Sequence, residues 1–134
     1  MFYWHKRIQA LALVDSNPLQ LKKARRVFPR ARIFQNTDHM MQEIHPHIVS
    51  IAVPTQAHEA VVKAVAQYHP LAIICEKPLA STIDSAQRII DICKARNVLL
   101  FVNHTRRFDE KHLQVKKEIR RINPIVQGSV HYTR

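Results

Sequence analysis

Short apolar runs alternate along this chain with amphipathic stretches, and no Asn-Gly type of turn folds two runs back on each other as a hairpin. That pattern requires parallel strands joined by right-handed crossovers, which is a doubly wound α/β sheet with helices on both faces. Proline marks the boundaries. Pro29, Pro46 and Pro70 close helical stretches, while Pro54 and Pro78 follow the ends of strands.

Taken in order, Ala10 to Asp15 reads as a strand ending in an acid, and Ser16-Asn17-Pro18 starts a helix with proline where a missing N–H costs nothing. Leu21, Ala24, Val27 and Phe28 form its apolar stripe. Arg32 to Phe34 is a weaker strand, followed by a short helix that Thr37 or Asp38 caps and that buries Met40, Met41 and Ile44. Ile48 to Val53 is the next strand. Behind it, Ala57, Ala60, Val61, Ala64, Val65 and Tyr68 predict one continuous helical stripe. Ser81 and Asp84 have capping-box spacing ahead of a helix buried through Ile83, Ala86, Ile89, Ile90 and Cys93. Val98 to Val102 is a further strand, ending at Asn103-His104. Phe108, Val115, Ile119 and Ile122 suggest a last helix, and Gln127 to Tyr132 the start of another strand.

The stretch Ala72-Ile73-Ile74-Cys75-Glu76-Lys77-Pro78 carries the chemistry. It predicts a fully buried parallel strand delivering a charged pair to a turn at its carboxyl edge, where open α/β sheets place ligands. Proline after lysine restricts the turn, and a cis bond there would fix the direction of the ammonium.

Composition narrows the function. A chain of 134 residues with 46% apolar content has enough core for one domain. No run has the length of a membrane span and no signal peptide is recognisable, so a cytoplasmic protein without a membrane partner is expected. Cys75 and Cys93 lack metal-ligand spacing and read as buried, reduced thiols, and no metal site is expected. The formal charge of +11 invites a nucleic-acid reading. Its lysines and arginines, among them Lys22, Lys23, Arg25, Arg26, Lys116, Lys117, Arg120 and Arg121, are spread over helices without interleaved aromatics, which points to solvated faces instead.

Val49-Ser-Ile-Ala-Val-Pro54-Thr-Gln-Ala-His58, Cys75-Glu76-Lys77-Pro78-Leu79-Ala80 and Val102-Asn-His-Thr-Arg-Arg107-Phe108-Asp109 occur in this order between successive strand-helix units. In that combination they resemble the glucose-fructose oxidoreductase, inositol dehydrogenase and rhizopine catabolism family, written Gfo/Idh/MocA. The resemblance implies an incomplete Rossmann-like domain over residues 1–123 and the first strand of a second α/β, substrate-binding domain over 124–134. It implies hydride transfer between NAD or NADP and a sugar, cyclitol or similar polyol, and a homo-oligomer.

By the same resemblance Lys77 is the catalytic residue, steadying alkoxide charge or helping to move a proton. Its alternative is a buried ion pair with Glu76. Asp15, Pro54, Thr55, His58, Glu76, Lys77, Pro78 and Arg107 become the cofactor-binding set. Asp15 in that role bonds the adenosine ribose and favours NAD over NADP; otherwise it caps the helix at Pro18. His58 is an exposed or capping residue if it does not border the nicotinamide, and His104 and Arg107 are otherwise surface charges.

The family's glycine-rich turn has no counterpart here, because Gly128 is the single glycine of the sequence. Met1 to Gln9 has room only for the last turns of the following helix, through Phe2, Tyr3, Trp4 and Ile8. Loss of two or three charge-assisted bonds at about 1.5–3 kcal/mol each weakens dinucleotide binding by roughly two to six powers of ten. The family's proton-transfer aspartate and histidine fall beyond residue 134. A partial chain, inactive alone and prone to associate through strands flanking an empty sheet position, is therefore expected. The other function classes consistent with the sequence are a non-catalytic interaction module that keeps the fold and a basic nucleic-acid binder.

Overall fold

A computed structural model describes residues 12–121, and the backbone alone at Arg106. The readings made for Met1 to Gln9 and for Gln127 to Tyr132 fall outside those residues. One compact unit ends at Val102 and a second begins at Asn103.

In the first unit strands and helices alternate as β1 (Ala12–Val14), α1 (Pro18–Val27), β2 (Arg32–Phe34), α2 (Thr37–Ile44), β3 (Ile48–Ile51), a 3-10 turn (Thr55–Ala57), α3 (His58–Ala66), β4 (Ala72–Glu76), α4 (Ile83–Ala95) and β5 (Leu99–Asn103), which runs into the second unit. The parallel α/β fold expected from the alternation is present. β1 pairs with β2 in parallel, Leu13 opposite Ile33. β3 pairs with β4 in parallel, from Ile48 opposite Ala72 to Ile51 opposite Cys75, and β5 bonds along the other edge of β4. Among the described residues these are two separate sheets, of order β1-β2 and β3-β4-β5.

One core joins both sheets. Phe34, Met40 and Met41 from the β2–α2 segment meet Ile51, Ile73 and Cys75 of the larger sheet, and Val62, Val65, Ile89 and Cys93 close it from α3 and α4. Alternation along β3 and β4 puts Ile51, Ile73 and Cys75 on this covered face. Ile48 and Ser50 take the other face and are exposed, as are Leu99 and Phe101 of β5.

Several local readings are corrected. Helix α2 is capped by Asn36, whose side chain accepts the His39 amide at 2.9 Å, rather than by Thr37 or Asp38. Helix α4 is capped by Thr82, whose Oγ1 accepts the Ser85 amide at 3.2 Å, one residue later than the Ser81–Asp84 spacing indicates. Ile83 at the first position of α4 is 88% exposed, and Val27 at the end of α1 is 65% exposed, although both fall on the predicted apolar stripes. In α3 the buried residues are His58, Val62, Val65 and Ala66, while Ala60 is exposed. The helix is apolar nearly all round and offers two stripes; the one that packs includes a histidine, which hides it from a hydrophobicity count.

Three helices are followed by left-handed residues that are not glycine: His45 at φ 48°, His69 at φ 52° and Asn97 at φ 54°. Glycine is the usual occupant of that position. In the second unit a 3-10 turn (Thr105–Phe108) leads into α5 (Glu110–Arg121), which is exposed along its length. Asp109 caps it, with Oδ1 accepting the Lys111 and His112 amides at 2.9 and 3.3 Å. Among the described residues no helix is long and apolar enough to cross a membrane.

Candidate functional site

Because β3 and β4 are parallel neighbours in register, the chain leaves both at the same end of the sheet. From β3 it passes through Val53 and Pro54 into the Thr55–Ala57 turn, where the Pro54 carbonyl accepts the Ala57 amide at 2.8 Å. From β4 it passes through Glu76 to Lys77 and Pro78, joined by a cis peptide bond. Pro54, Lys77 and Pro78 are exposed, and Thr55 and Glu76 are half-buried. Lys77 thus stands open to solvent at the carboxyl edge of the sheet, not buried as its alternative reading as an internal ion-pair partner requires.

His58 lies between the two exits. At 1% exposure it is the buried polar residue of the core, with Nδ1 3.0 Å from the Leu79 carbonyl oxygen and Nε2 3.0 Å from that of Val53. Neither ring nitrogen is turned outward to meet a ligand. The sequence signal for this burial is the spacing His58, Val62, Val65, Ala66, which is as good a helical stripe as the one running from Ala57 to Tyr68. The Leu79 carbonyl partner had no signal, since backbone groups carry none.

The other candidates are dispersed. Asp15 follows β1 and is half-buried; its amide donates to Phe34 O at 3.2 Å and its Oδ1 accepts the Asn17 amide at 2.8 Å, ahead of the Asn17 cap of α1. The cap of α1 is thus Asn17 and not Asp15, the alternative left beside ribose binding; Asp15 bonds the amide of the capping residue instead. Arg107 belongs to the second unit, exposed, with its amide donating to His104 O at 2.9 Å.

Behind the site, α3 and α4 are tied by Glu59. Its carboxylate accepts Arg88 Nε at 2.7 Å, Arg88 Nη2 at 3.0 Å and Ser85 Oγ at 2.6 Å. The Arg88 guanidinium first, then the Ser85 hydroxyl, hold the Glu59 carboxyl down at about 2. Cys75 and Cys93 are free and buried as expected, and burial above all pushes the Cys75 thiol up to about 11. Two cavities lie elsewhere. One of about 740 Å³ is lined by Arg25, Arg32, Phe34, Asn36, His39 and Glu43, and another of about 190 Å³ by Met41, His45, His47, Tyr68, His69 and Leu71.

Parallel strands that end together in an exposed lysine-proline turn and a proline-led 3-10 turn match a known family along most of the chain. Residues 2–104 match the oxidoreductase family with an NAD-binding Rossmann fold, GFO_IDH_MocA. The chain belongs to the Gfo/Idh/MocA family. It is 32% identical over 112 residues to an inositol 2-dehydrogenase of Acidothermus cellulolyticus, an alignment covering 82% of this chain and 32% of that protein. A D-apiose dehydrogenase of Paraburkholderia graminis is 27% identical over 112 residues, 84% of this chain and 30% of that protein. Among solved structures, the WlbA dehydrogenase of Bordetella pertussis in complex with NADH and UDP-GlcNAcA superposes with a TM-score of 0.76 at 27% identity, over 83% of this chain and 32% of that one. The chain therefore spans about a third of the length of these Gfo/Idh/MocA relatives.

Proposed function

We propose that this chain is the NAD(P)-binding part of an oxidoreductase that moves hydride between a nicotinamide cofactor and a hydroxyl of a polyol or sugar. The observation that carries the reading is the shared carboxyl end of β3 and β4, where Pro54 and Lys77 leave neighbouring parallel strands. Relatives that include an inositol dehydrogenase, an apiose dehydrogenase and a dehydrogenase bound to NADH support it.

The donor set suits one half of the cofactor. Lys77 offers an exposed ammonium and Asp15 a half-buried carboxylate at a strand end, the latter favouring the two ribose hydroxyls of NAD. For the pyrophosphate the fit is poor: a glycine-rich turn requires glycines, and Gly128 is the single one in the sequence. When bound, the nicotinamide supplies the hydride chemistry. Lys77 contributes a positive charge that steadies developing negative charge on a substrate oxygen, and the Pro54-Thr55 turn walls the same end of the sheet. The half-buried Glu76 carboxylate adjoins Lys77 in the chain, and cofactor binding is the activity assigned to these residues. Glu76, Pro78 and His58 shape that end of the sheet.

Calorimetric titration with NAD and NADH tests this. Weak, saturable binding lost in Lys77→Ala and reduced in Asp15→Ala supports the reading, and heats indifferent to both substitutions refute it.

The exposed apolar residues Ile48, Leu99 and Phe101 favour a second reading, a non-catalytic module that associates with itself or a partner. Assembly that rises with concentration and ignores NAD would support this second reading over the first. DNA affinity that falls steeply with salt would instead favour use of the exposed Lys22, Lys23, Arg25 and Arg26 of α1.

A further inference from the structure

His58 is fully inside the core, yet neither of its ring nitrogens serves the core. Nε2 meets the carbonyl of Val53, the residue before Pro54, and Nδ1 meets the carbonyl of Leu79, the residue after Pro78. Both distances are 3.0 Å, so both contacts are of hydrogen-bond length. The two carbonyls belong to different exits from the sheet, one leaving β3 and one leaving β4. A neutral imidazole donates one N–H and can satisfy one of them; an imidazolium donates to both. The imidazolium bonds both turns at once, whereas the neutral ring bonds one and sets its bare nitrogen against the other carbonyl, so the hydrogen-bonded bridge belongs to the doubly protonated ring.

We propose that His58 is a positioning residue that couples these two turns and so fixes where Lys77 stands relative to Pro54. The consequence for a ligand rests on reading this end of the sheet as the nicotinamide site; the coupling itself does not. Three features make histidine the suitable residue. It is planar and small enough to pack beside Val62 in α3, it presents polar atoms on opposite edges, and it starts α3 directly after the Thr55–Ala57 turn. The side chain is therefore anchored by the helix while its edges hold two loops. Phenylalanine fills the space without the bonds. Glutamine restores a donor without the ring.

The test uses the chain labelled with nitrogen-15 and with carbon-13 at lysine, as wild type, His58→Phe and His58→Gln, without cofactor. The expected result in His58→Phe is a displaced, broadened Lys77 Cε signal together with shifted backbone amide signals at Thr55 and at Ala80, the amide of the peptide whose carbonyl Nδ1 meets. Lys63 on α3 and Lys94 on α4 keep their signals, and His58→Gln returns Lys77 part-way toward wild type. A Lys77 signal unchanged in His58→Phe, or one that shifts no more than Lys63 and Lys94, overturns the proposal. If neither variant folds, the wild-type ring decides: imidazole N–H protons protected from water exchange support the bridge, and freely exchanging ones overturn it. NADH titration of the same wild-type sample separates the two claims, since failure to bind overturns the nicotinamide reading while the Lys77 coupling is read in its absence.

Discussion

The two faces of the β3-β4-β5 sheet are made from the same strands and have opposite fates. On one, Ile51 is 3% exposed and Ile73 and Cys75 are fully buried beneath Val62, Val65, Ile89 and Cys93. On the other, Ile48, Leu99 and Phe101 are 58%, 62% and 54% exposed. The difference is one of local supply. Each strand-helix unit brings its own helix back onto the first face, so α3 and α4 cover it with residues close in sequence. Nothing within the first unit's described helices does the same for the second face. The first face therefore carries the packed core, and the second, where exposed Ile48 lies beside buried Ala72, is where association is expected.

The largest test of that asymmetry is Ile73→Ala. It opens a cavity on the covered face and is expected to cost about 2–5 kcal/mol in denaturant unfolding, against at most about 0.5 kcal/mol for Phe101→Ser on the open face. Equal losses would mean that both faces are packed.

Association is expected to divide the other way. Sedimentation of the wild type should show concentration-dependent assembly that Phe101→Ser together with Leu99→Ser reduces while leaving Ile73-dependent stability in place. A cooperative monomer at all concentrations would remove the role given to the open face.

The covered face also protects its sulfur. With Cys75 and Cys93 fully or almost fully buried and the Cys75 thiol pushed up to about 11, iodoacetamide at neutral pH should label neither until the chain unfolds. Rapid labelling of the native chain would place solvent where the core is described.

The smallest expected effect is in acid, at the α3–α4 seam. Glu59 is held at about 2, below its ordinary 4.5, by Arg88 and then Ser85. Its contribution is complete above the ordinary carboxylate value and is lost as pH falls from there through about 2. Glu59→Gln should therefore flatten the acid limb of the stability profile and leave the neutral region nearly parallel to wild type. An unchanged acid limb would dissociate the seam from Glu59.

How far the sequence was legible follows the same asymmetry. The alternating strand-helix units and the burial of Ile73, Cys75, Met40 and Met41 were readable because apolar periodicity reports burial directly. Caps slipped by one or two residues, from Thr37 or Asp38 to Asn36 and from Ser81 to Thr82, since neighbouring polar residues compete for one helix end. In the candidate site, Pro54, Lys77 and their shared sheet end were legible from strand boundaries. The inward turn of His58 was not, because its partners are the carbonyls of Val53 and Leu79, and every residue has a carbonyl. Asp15 was ambiguous in the sequence for a physical reason too: one carboxylate suits both a ribose and the Asn17 amide that it accepts.

The decisive experiment is a residue-resolved map of NADH on the folded chain, by amide chemical-shift titration in moderate salt. Saturable shifts are expected to concentrate at Thr55, Glu76, Lys77 and Leu79, with smaller ones at Asp15 and none along α1. Shifts confined to the basic residues of α1 and α5, or no saturable shift at the ends of β3 and β4, would refute the placement of the nicotinamide at that end of the sheet.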